Sequence, residues 1–478
     1  YADEGRQMFD IVIYNGFHIT MEGKGLGVIE EGGLAIQDGK IAAVGTAEEM
    51  RRADARRKID ASGMAVLPGL IDAHVHTGFG LLRGLSQDIG SWMQRGLWPF
   101  YDELDREGAA IGSRLAILEA MKAGTTTFND FFGNMADLAR NHVSMGTRAI
   151  VTEMVNEMLK KLTDNKTGLY AFDPVVGEEK FNRALALYDA FEGTENGRIT
   201  VGFGVQATDM LSTELLCRMY REARSRNKKF MLHLEQGDRE IDQMQRRYGK
   251  RSIAYLEELG MLDENLLAVH LTESSGEDAK YLAGKGASLL HCAGTIGLID
   301  GINPPIGEYL AAGGSVALGS DHVPGNNCSN MFNEMKLTAL LNKNKYRDPS
   351  VFPAWQMLRL CTVDAAHVLG MENEIGSLRE GKKADVILID LNQPSLAPVI
   401  TYPFRNLVAN LVYSARGSEV RTSIIDGNIV MENGVVTMVD EAAIVREANE
   451  AARELAQRGA KRVEPDSEML AMYHAGNL

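Results

Sequence analysis

The chain has 478 residues, of which 45% are hydrophobic and 24% charged, a balance typical of a globular protein. Its 65 acidic and 50 basic residues give a net charge of −15, which argues against nucleic acid and anionic membrane surfaces as partners. No apolar run approaches the roughly 20 residues that span a bilayer, and no secretory signal is recognisable. The four cysteines form no Cys-x-x-Cys pair, so we expect a cytoplasmic protein without thiolate zinc fingers.

The first 60 residues are rich in short β-forming runs that are interrupted by turns. The runs lie at residues 10–14, 33–37 and 40–44, and Asp38-Gly39 is a hairpin signal between the last two. A second β-rich set lies at residues 385–390, 407–412 and 420–425, and Asp426-Gly427 follows it as another turn. Two such sets on either side of a different middle predict one small β domain assembled from both ends of the chain.

Between these sets, apolar strands alternate with amphipathic helices. The predicted strands are residues 65–76, 125–130, 148–155, 200–206, 230–235, 266–271, 287–291 and 316–321. The clearest predicted helices are residues 105–123, 213–226 and 441–458. Eight strands that alternate with helices favour a (β/α)8 barrel of the TIM type, although doubly wound sheets alternate in the same way.

The length of the chain leaves room for one large domain and one smaller domain. We therefore predict an α/β fold with a (β/α)8 barrel over residues 65–370. Residues 8–64 and 371–437 are predicted to form a small β-sandwich domain. Residues 438–478 are predicted to form a C-terminal helix and tail.

The first barrel strand carries the most informative motif of the chain. It runs through Pro68-Gly69 and ends in His74-Val75-His76. Because side chains alternate along a strand, the two histidines are expected to point the same way. Two imidazoles at the end of a buried strand are well placed to hold one transition metal, whereas a lone His-x-His is more often a pair of structural residues.

Three further strand ends supply matching residues. The fifth strand carries His233, the sixth ends in His270, and the eighth ends in Asp321. In a barrel these ends converge on one mouth, where four histidines and an aspartate suffice for a metal with an open position for water. Each residue alone is more often structural, but their arrival at the right strand ends predicts a metal site.

With these residues identified, the chain resembles the amidohydrolase superfamily. The resemblance is to the branch that contains adenosylhomocysteine and methylthioadenosine deaminases, guanine deaminases and triazine hydrolases, and it covers nearly the whole chain. Its further motifs are Leu-Leu-Arg-Gly-Leu at 81–85, Met-Phe-Asn-Glu-Met-Lys at 331–336, Ala-Asp at 384–385 and Leu-Val-Tyr-Ser at 411–414.

The resemblance implies a role for each residue of the predicted site. The metal ligands would be His74, His76, His233 and Asp321. Asp321 would also act as general base, and His270 would hydrogen-bond the water or the substrate. One divalent metal is implied, because no lysine ends the fourth strand; zinc is expected first, and iron, manganese or cobalt would also suit these ligands.

Three departures from the pattern of this branch bear on the substrate. The deaminases carry His-x-x-Glu on the fifth strand, where the glutamate protonates a ring nitrogen, but here that position is Gln236. Glu235 is one residue earlier and, by strand alternation, shares the face of His233, so it is predicted to be catalytic; the alternative is a displaced, non-equivalent carboxylate. Tyr101 replaces a ribose-binding glutamate, and Gln-Ala-Thr-Asp at 206–209 replaces His-Ala-Pro-Tyr. These departures argue against a nucleoside substrate.

A smaller or more apolar substrate is therefore expected. Its predicted binding residues are Gln206, Trp98, His291 and Trp92. Core packing is an equal alternative for each aromatic residue. His322 follows Asp321 and is predicted to face the opposite side of the strand.

The leading functional hypothesis is a metal-dependent hydrolase that attacks a small nitrogen heterocycle and expels ammonia, an amine or another leaving group. The first alternative is hydrolysis of an amide, urea or carbamate C–N bond, for which ring-nitrogen protonation is not required. A metal-binding scaffold without catalysis is a third reading, which the five intact site positions disfavour. The expected partner is a small-molecule substrate, and relatives suggest a homo-oligomer.

Overall fold

A computed structural model describes residues 8–158 and 168–477 of the chain. The strands up to the fourteenth are β1 (Phe9–Ile19), β2 (Val28–Gln37), β3 (Lys40–Thr46), β4 (Ala55–Asp60), β5 (Met64–Pro68), β6 (Leu70–Val75), β7 (Thr125–Phe132), β8 (Arg148–Glu153), β9 (Ile199–Val201), β10 (Phe203–Ala207), β11 (Phe230–Leu234), β12 (Leu266–His270), β13 (Ser288–His291) and β14 (Ser315–Leu318). The strands after them are β15 (Val386–Asp390), β16 (Val420–Ile425), β17 (Asn428–Glu432) and β18 (Val435–Val436).

Helices follow most of the barrel strands. The helices in the first half are α1 (Ala47–Arg52), α2 (Trp98–Tyr101), α3 (Arg106–Lys122), α4 (Met135–Met145), α5 (Pro174–Phe191), α6 (Thr194–Gly197), α7 (Thr213–Ser225), α8 (Gly237–Tyr248) and α9 (Ser252–Glu258). Those in the second half are α10 (Gly276–Gly284), α11 (Ala293–Thr295), α12 (Ile306–Ala311), α13 (Val323–Asn326), α14 (Met331–Tyr346), α15 (Ala354–Leu360), α16 (Val363–Val368), α17 (Leu407–Tyr413), α18 (Glu441–Ala460) and α19 (Glu468–His474). The predicted helices at 105–123, 213–226 and 441–458 are confirmed as α3, α7 and α18.

The parallel strands β6 to β14 form the predicted barrel. They are hydrogen-bonded as two sheets, β6 to β9 and β10 to β14. Parallel bridges from Val155 to Val205 and from Val75 to Asp321 join the two sheets at both seams. Since β9 and β10 are separated by Gly202 alone, they serve together as the fourth strand, which gives eight strands around the barrel.

The barrel interior is filled by apolar side chains from strands on opposite sides. Ile71, Met231, Val269, Leu290 and Ala317 belong to one buried cluster there. The residues that alternate with them, such as the one following Met231 and the one preceding Leu290, pack outward against the helices. This alternation decides which strand-end side chains face the mouth of the barrel.

The small domain is a nine-stranded sheet contributed by both ends of the chain. Its order is β18-β17-β16-β15-β5-β1-β2-β3, and β4 pairs with β1. The two ends meet where β5 runs antiparallel to β15. Gln37 pairs with Lys40 and Ile425 pairs with Asn428, so both predicted Asp-Gly hairpins are confirmed. Side chains from β1, β2, β3, β5, β15 and β16 share one apolar core.

The strand predicted at residues 407–412 is wrong, because this segment is helix α17. Leu407, Leu411 and Val412 are its buried residues. Their spacing of four and five positions places them on one side of a helix, which packs against α14 and α15. A short apolar run permits either structure, and here tertiary packing selects the helix.

A buried ion pair joins the barrel to the small domain. The guanidinium of Arg148 on β8 donates to both carboxylate oxygens of Asp385, at 2.6 and 2.9 Å. The backbone N–H of Asp426 donates to the same carboxylate at 2.8 Å. Arg148 is fully buried, so its charge depends on the Asp385 carboxylate and on the Asp426 carboxylate 3.5 Å away. Among the helices of residues 8–158 and 168–477, none is long and apolar enough to span a bilayer.

Candidate metal centre

Four buried side chains meet at the mouth of the barrel. His74 lies on β6 with His76 just beyond it, His233 lies on β11, and Asp321 follows β14. One ligand atom from each residue lies within 4.8 Å of the other three. The structure therefore brings together the four ligands predicted from the sequence.

The hydrogen bonds of His76 and His233 leave their Nε2 atoms without protons. His76 donates its Nδ1–H to the carbonyl of Phe131, and His233 donates its Nδ1–H to the carbonyl of Gln206 at 2.6 Å. In a neutral imidazole the other nitrogen is then a bare lone pair. Backbone carbonyls that orient histidines in this way are typical of metal sites.

The bare atoms converge as zinc ligands do. The Nε2 atoms of His76 and His233 lie 3.3 Å apart, and Nε2 of His76 lies 3.3 Å from Oδ1 of Asp321. Nitrogens bound to zinc at about 2.0–2.1 Å in a tetrahedral site are about 3.3 Å apart. Within the described part of the chain, neither ring nitrogen of His74 has a hydrogen-bond partner, and neither carboxylate oxygen of Asp321 has one. This set of buried, unpaired donors fits a divalent cation.

Burial keeps His74 and His270 in the neutral form, which is the form of histidine that binds metals. It lowers the pKa of His74 to about 4 and the pKa of His270 to about 3. Nε2 of His270 lies 3.7 Å from Oδ2 of Asp321, on the side of the carboxylate opposite His76. His270 is therefore placed beside the site without joining the group of four.

Two of these residues have left-handed backbone conformations, which set the direction of their side chains. His270 follows Val269, which faces the barrel interior, so strand alternation alone would point His270 outward. Its φ of +80° turns the side chain into the mouth. Asp321 has a φ of +61°. Such angles are costly for residues other than glycine and occur often at functional sites.

The structure does not place Glu235 in the mouth of the barrel, which corrects the prediction from strand alternation. Strand β11 ends at Leu234, and Glu235 has a φ of +50°. Its buried carboxylate pairs with Arg251 and accepts a hydrogen bond from Ser274 at 2.9 Å. The alternation rule fails here because the strand has already ended.

Glu240, which the sequence reasoning missed, lies closer to the mouth. Its fully buried carboxylate accepts the backbone N–H groups of Glu235 and Gln236, both at 2.9 Å, and the hydroxyl of Ser252 at 2.5 Å. Burial and the charge of Asp209 raise its pKa to about 7. An acidic residue in the first turn of α8 was the available signal, since such residues satisfy N–H groups at helix starts.

Two connected cavities open above these residues. The inner chamber, of about 80 Å³, is lined by the ligands His76, His233 and Asp321 together with His270, Phe79, Trp92, Met93, Leu97, Trp98, Tyr101, Met154, Gln206, Ala207, Met210, Gln236, Arg239, Glu240 and His322. The outer chamber, of about 620 Å³, shares Trp98, Tyr101, Met154, Gln206 and Met210 with it. Of the predicted substrate-binding residues, Trp92, Trp98 and Gln206 line the inner chamber.

His291 does not line either chamber, which corrects its predicted role. Leu290 faces the barrel interior, so the next residue along β13 points out toward the helices. Its ring is fully buried, and burial lowers its pKa to about 3. Neither ring nitrogen of His291 has a hydrogen-bond partner among residues 8–158 and 168–477.

His322 lies in the inner chamber, contrary to its predicted outward direction. The left-handed backbone at Asp321 breaks the strand pattern before it. The His322 ring stacks on Trp92 with 5.2 Å between ring centroids and 2° between ring planes. Its Nδ1 accepts the backbone N–H of Gly325 at 2.9 Å.

Comparison with known proteins identifies relatives that match most of the chain. A profile of the amidohydrolase family matches residues 65–430, and a profile of a bacterial imidazolonepropionase-like composite domain matches residues 32–53. The chain is 34% identical over 454 residues to a 5'-deoxyadenosine deaminase from Methanosarcina acetivorans, which covers 94% of this chain and 99% of the relative. It is 35% identical over 421 residues to a 5-methylthioadenosine/S-adenosylhomocysteine deaminase from Moorella thermoacetica, which covers 87% and 94%.

Solved structures share the fold. An adenosine deaminase from Xanthomonas campestris with bound zinc has a TM-score of 0.86 and 26% identity, covering 95% of this chain and 100% of that one. An atrazine chlorohydrolase from Arthrobacter aurescens, complexed with zinc, has a TM-score of 0.81 and 21% identity, covering 92% and 100%. The second likeness bears on the fold alone.

Proposed function

The chain belongs to the amidohydrolase family, and we propose that it is a metal-dependent hydrolase that displaces an amino group from a small nitrogen heterocycle. The observation that carries this proposal is the convergence of the bare Nε2 atoms of His76 and His233 on Asp321. Similarity to deaminases over most of the chain supports the reaction type.

One divalent metal, zinc in the first instance, is the proposed cofactor. His74, His76, His233 and Asp321 would hold it. When bound, such an ion lowers the pKa of water to about 7 and so supplies a nucleophile at neutral pH. The solved adenosine deaminase from Xanthomonas campestris contains zinc, which supports this choice over iron, manganese or cobalt.

Asp321 is the proposed general base. Its Oδ2 faces His270 and has no hydrogen-bond partner among the described residues, so it is available to take a proton from the attacking water. It would then deliver that proton to the departing amine. Across the reaction a C–O bond forms, a C–N bond breaks, and ammonia leaves.

His270 and Gln206 are proposed to position the reacting groups. His270 lies beside Asp321, and its Nδ1 has no partner in the part of the chain that the structure describes, so it would hydrogen-bond the water or the substrate. The side-chain oxygen of Gln206 accepts a hydrogen bond from Asn156 at 2.6 Å, which orients the amide at the junction of the two chambers. Trp98 lines the same junction and offers an aromatic face to a flat ring.

Hydrolysis of an amide, urea or carbamate is the second candidate. It is favoured by one observation, namely that Gln236 lines the chamber while the carboxylate of Glu235 is turned toward Arg251. Attack on a carbonyl needs no acid at a ring nitrogen, so this arrangement would suffice. The aromatic residues that line the chamber and the similarity to deaminases favour a nitrogen heterocycle as the substrate.

Ammonia release by the zinc-loaded protein tests the proposal. The panel contains aminopurines, 5'-deoxyadenosine, aminopyrimidines, pterins and aminotriazines, and an Asp321→Asn variant with retained zinc is the matched control. We expect release from at least one compound and none from the variant. Silence across the panel together with cleavage of an amide, urea or carbamate would replace the first candidate with the second.

Assembly into a homo-oligomer and a cytoplasmic location stay predictions. Light scattering of the purified protein measures the first of these. A small-molecule substrate is consistent with the two chambers and with the relatives.

A further inference from the structure

Hydrolytic attack on an aromatic ring carbon places negative charge on the neighbouring ring nitrogen. A hydrogen-bond donor at that nitrogen stabilises the charge as it develops. The carboxylates near the inner chamber are poor candidates for this task. Glu235 is paired with Arg251, and Glu240 already accepts two backbone N–H groups.

His322 has its donor fixed by the backbone. Because Gly325 donates its N–H to Nδ1 of His322, this ring nitrogen must be the acceptor, and the proton of the neutral ring resides on Nε2. Nε2 lies 3.8 Å from Oδ1 of Asp321, which is too long for a hydrogen bond. Among the residues that the structure describes, the Nε2–H therefore has no acceptor.

The His322 ring is also held rigidly. Trp92 stacks on it, and Phe79 lies across its edge with 5.6 Å between ring centroids. A β-carbon at Gly325 would overlap the ring, so the close approach of this loop requires glycine. The side chain is 10% exposed, and that exposure is in the inner chamber.

We propose that the Nε2–H of His322 is the hydrogen-bond donor to the ring nitrogen beside the reacting carbon, so that the protein selects substrates with an unsubstituted, lone-pair-bearing nitrogen there. This inference rests on the proposed function. His322 acts as a neutral donor throughout and exchanges no proton with the substrate. Nε2 of His322 lies 3.8 Å from Oδ1 of Asp321, so the donor would lie beside the carboxylate that is proposed as the general base.

Binding of two flat probes of equal shape tests the donor directly. Melamine carries three ring nitrogens, and 1,3,5-triaminobenzene has C–H groups in their place. Calorimetry with the zinc-loaded protein should show melamine bound about 10- to 100-fold more tightly, as expected when a buried donor loses its acceptor. In His322→Phe, which keeps an aromatic ring against Trp92, the preference should fall to within about threefold.

A His322→Gln variant retains an N–H donor and should keep most of the preference. His474→Phe on the exposed last helix is the matched control and should behave as the wild type. An equal preference in the wild type and His322→Phe overturns the inference, and so does an equal loss in His322→Gln. If the wild type binds neither probe and releases no ammonia from the panel, the proposed function itself fails.

Discussion

The Nε2 atoms of His76 and His233 face one another across 3.3 Å, and in the neutral rings neither atom carries a proton. Each neutral ring donates its only N–H to a backbone carbonyl. Two facing lone pairs repel one another, and the nearby Asp321 carboxylate adds negative charge rather than a donor. A cation between these atoms removes the conflict, so the fold of this mouth and metal binding are coupled.

Removal of the metal should therefore destabilise the protein. A ligand present at 100 to 1,000 times its Kd stabilises a fold by about 2.7–4.1 kcal/mol, and chelation withdraws that amount. We expect a lower thermal midpoint after dialysis against a chelator and recovery on addition of zinc. His233→Ala should lose the metal, whereas His367→Ala, at an exposed position, should retain it. A midpoint insensitive to chelation would contradict this coupling.

Glu235→Gln should affect stability more than chemistry. The carboxylate is buried and holds Arg251 and Ser274, so its loss is expected to cost about 1–3 kcal/mol in the free energy of unfolding. Because the group is turned away from the chamber, kcat/KM should stay within about threefold of the wild type. Urea unfolding and steady-state kinetics measure the two effects. A collapse of kcat with unchanged stability would restore the catalytic role predicted from the sequence.

The pH dependence of stability should contain a contribution from Glu334. Burial raises its pKa from 4.5 to about 8 in the folded protein. The unfolded chain releases this proton near pH 4.5, so the folded state binds more protons between pH 4.5 and 8. The free energy of unfolding must then fall as pH rises through this window.

Glu334→Gln mimics the neutral acid and should remove the contribution of this residue to the decrease in the free energy of unfolding with rising pH. Its free energy of unfolding should drop less than that of the wild type between pH 5 and 8, as measured by urea titration at each pH. The amide still accepts a hydrogen bond in the place where the carboxylate accepts those of Gly294 and Asn326. Parallel pH profiles for the two proteins would exclude a raised pKa at Glu334.

Asp385→Asn should weaken the junction between the barrel and the small domain. It removes the nearer of the two carboxylates that face the buried guanidinium of Arg148 and leaves Asp426 at 3.5 Å. Loss of a buried ion-pair partner costs up to about 3–5 kcal/mol, and the Asp426 carboxylate should keep the cost at the lower end. A double variant, Arg148→Met with Asp385→Asn, removes the buried guanidinium charge and should recover part of the loss. Chemical unfolding of the three proteins measures the coupling; equal stability of wild type and Asp385→Asn would contradict it.

The sequence predicts the barrel and the ligand set because both depend on short, regular patterns. His74, His76 and His233 lie on or immediately beyond strands, where alternation and the order of the strands fix their direction. Asp321 follows the last barrel strand and bridges to Val75, which closes the ring of strands. The two Asp-Gly turns were equally local signals.

The wrong predictions concern residues at or beyond a strand end, and one segment in which tertiary packing decides between strand and helix. Glu235 does not follow the strand alternation because its φ is left-handed. No residue type in this segment predicts that backbone conformation. His322 enters the chamber because the left-handed backbone at Asp321 breaks the strand alternation, and the N–H of Gly325 then holds the ring through its Nδ1. The position of His291 at a strand end predicts that it reaches the site. The preceding residue, Leu290, faces the barrel interior, so His291 faces the opposite side of the strand.

Strand β5 continues through Pro68 and Gly69 into β6, and β15 completes its pairing. On the ribosome, the segment bearing His74 and His76 emerges long before Val386. A nascent chain that reaches Asp321 already contains all four ligands, yet one edge of β5 still lacks its neighbour. Unpaired edges invite association between chains. During translation all four residues of the metal site are therefore synthesised before strand β15, which completes the sheet. A chain truncated between Asp321 and Val386 would be prone to aggregation.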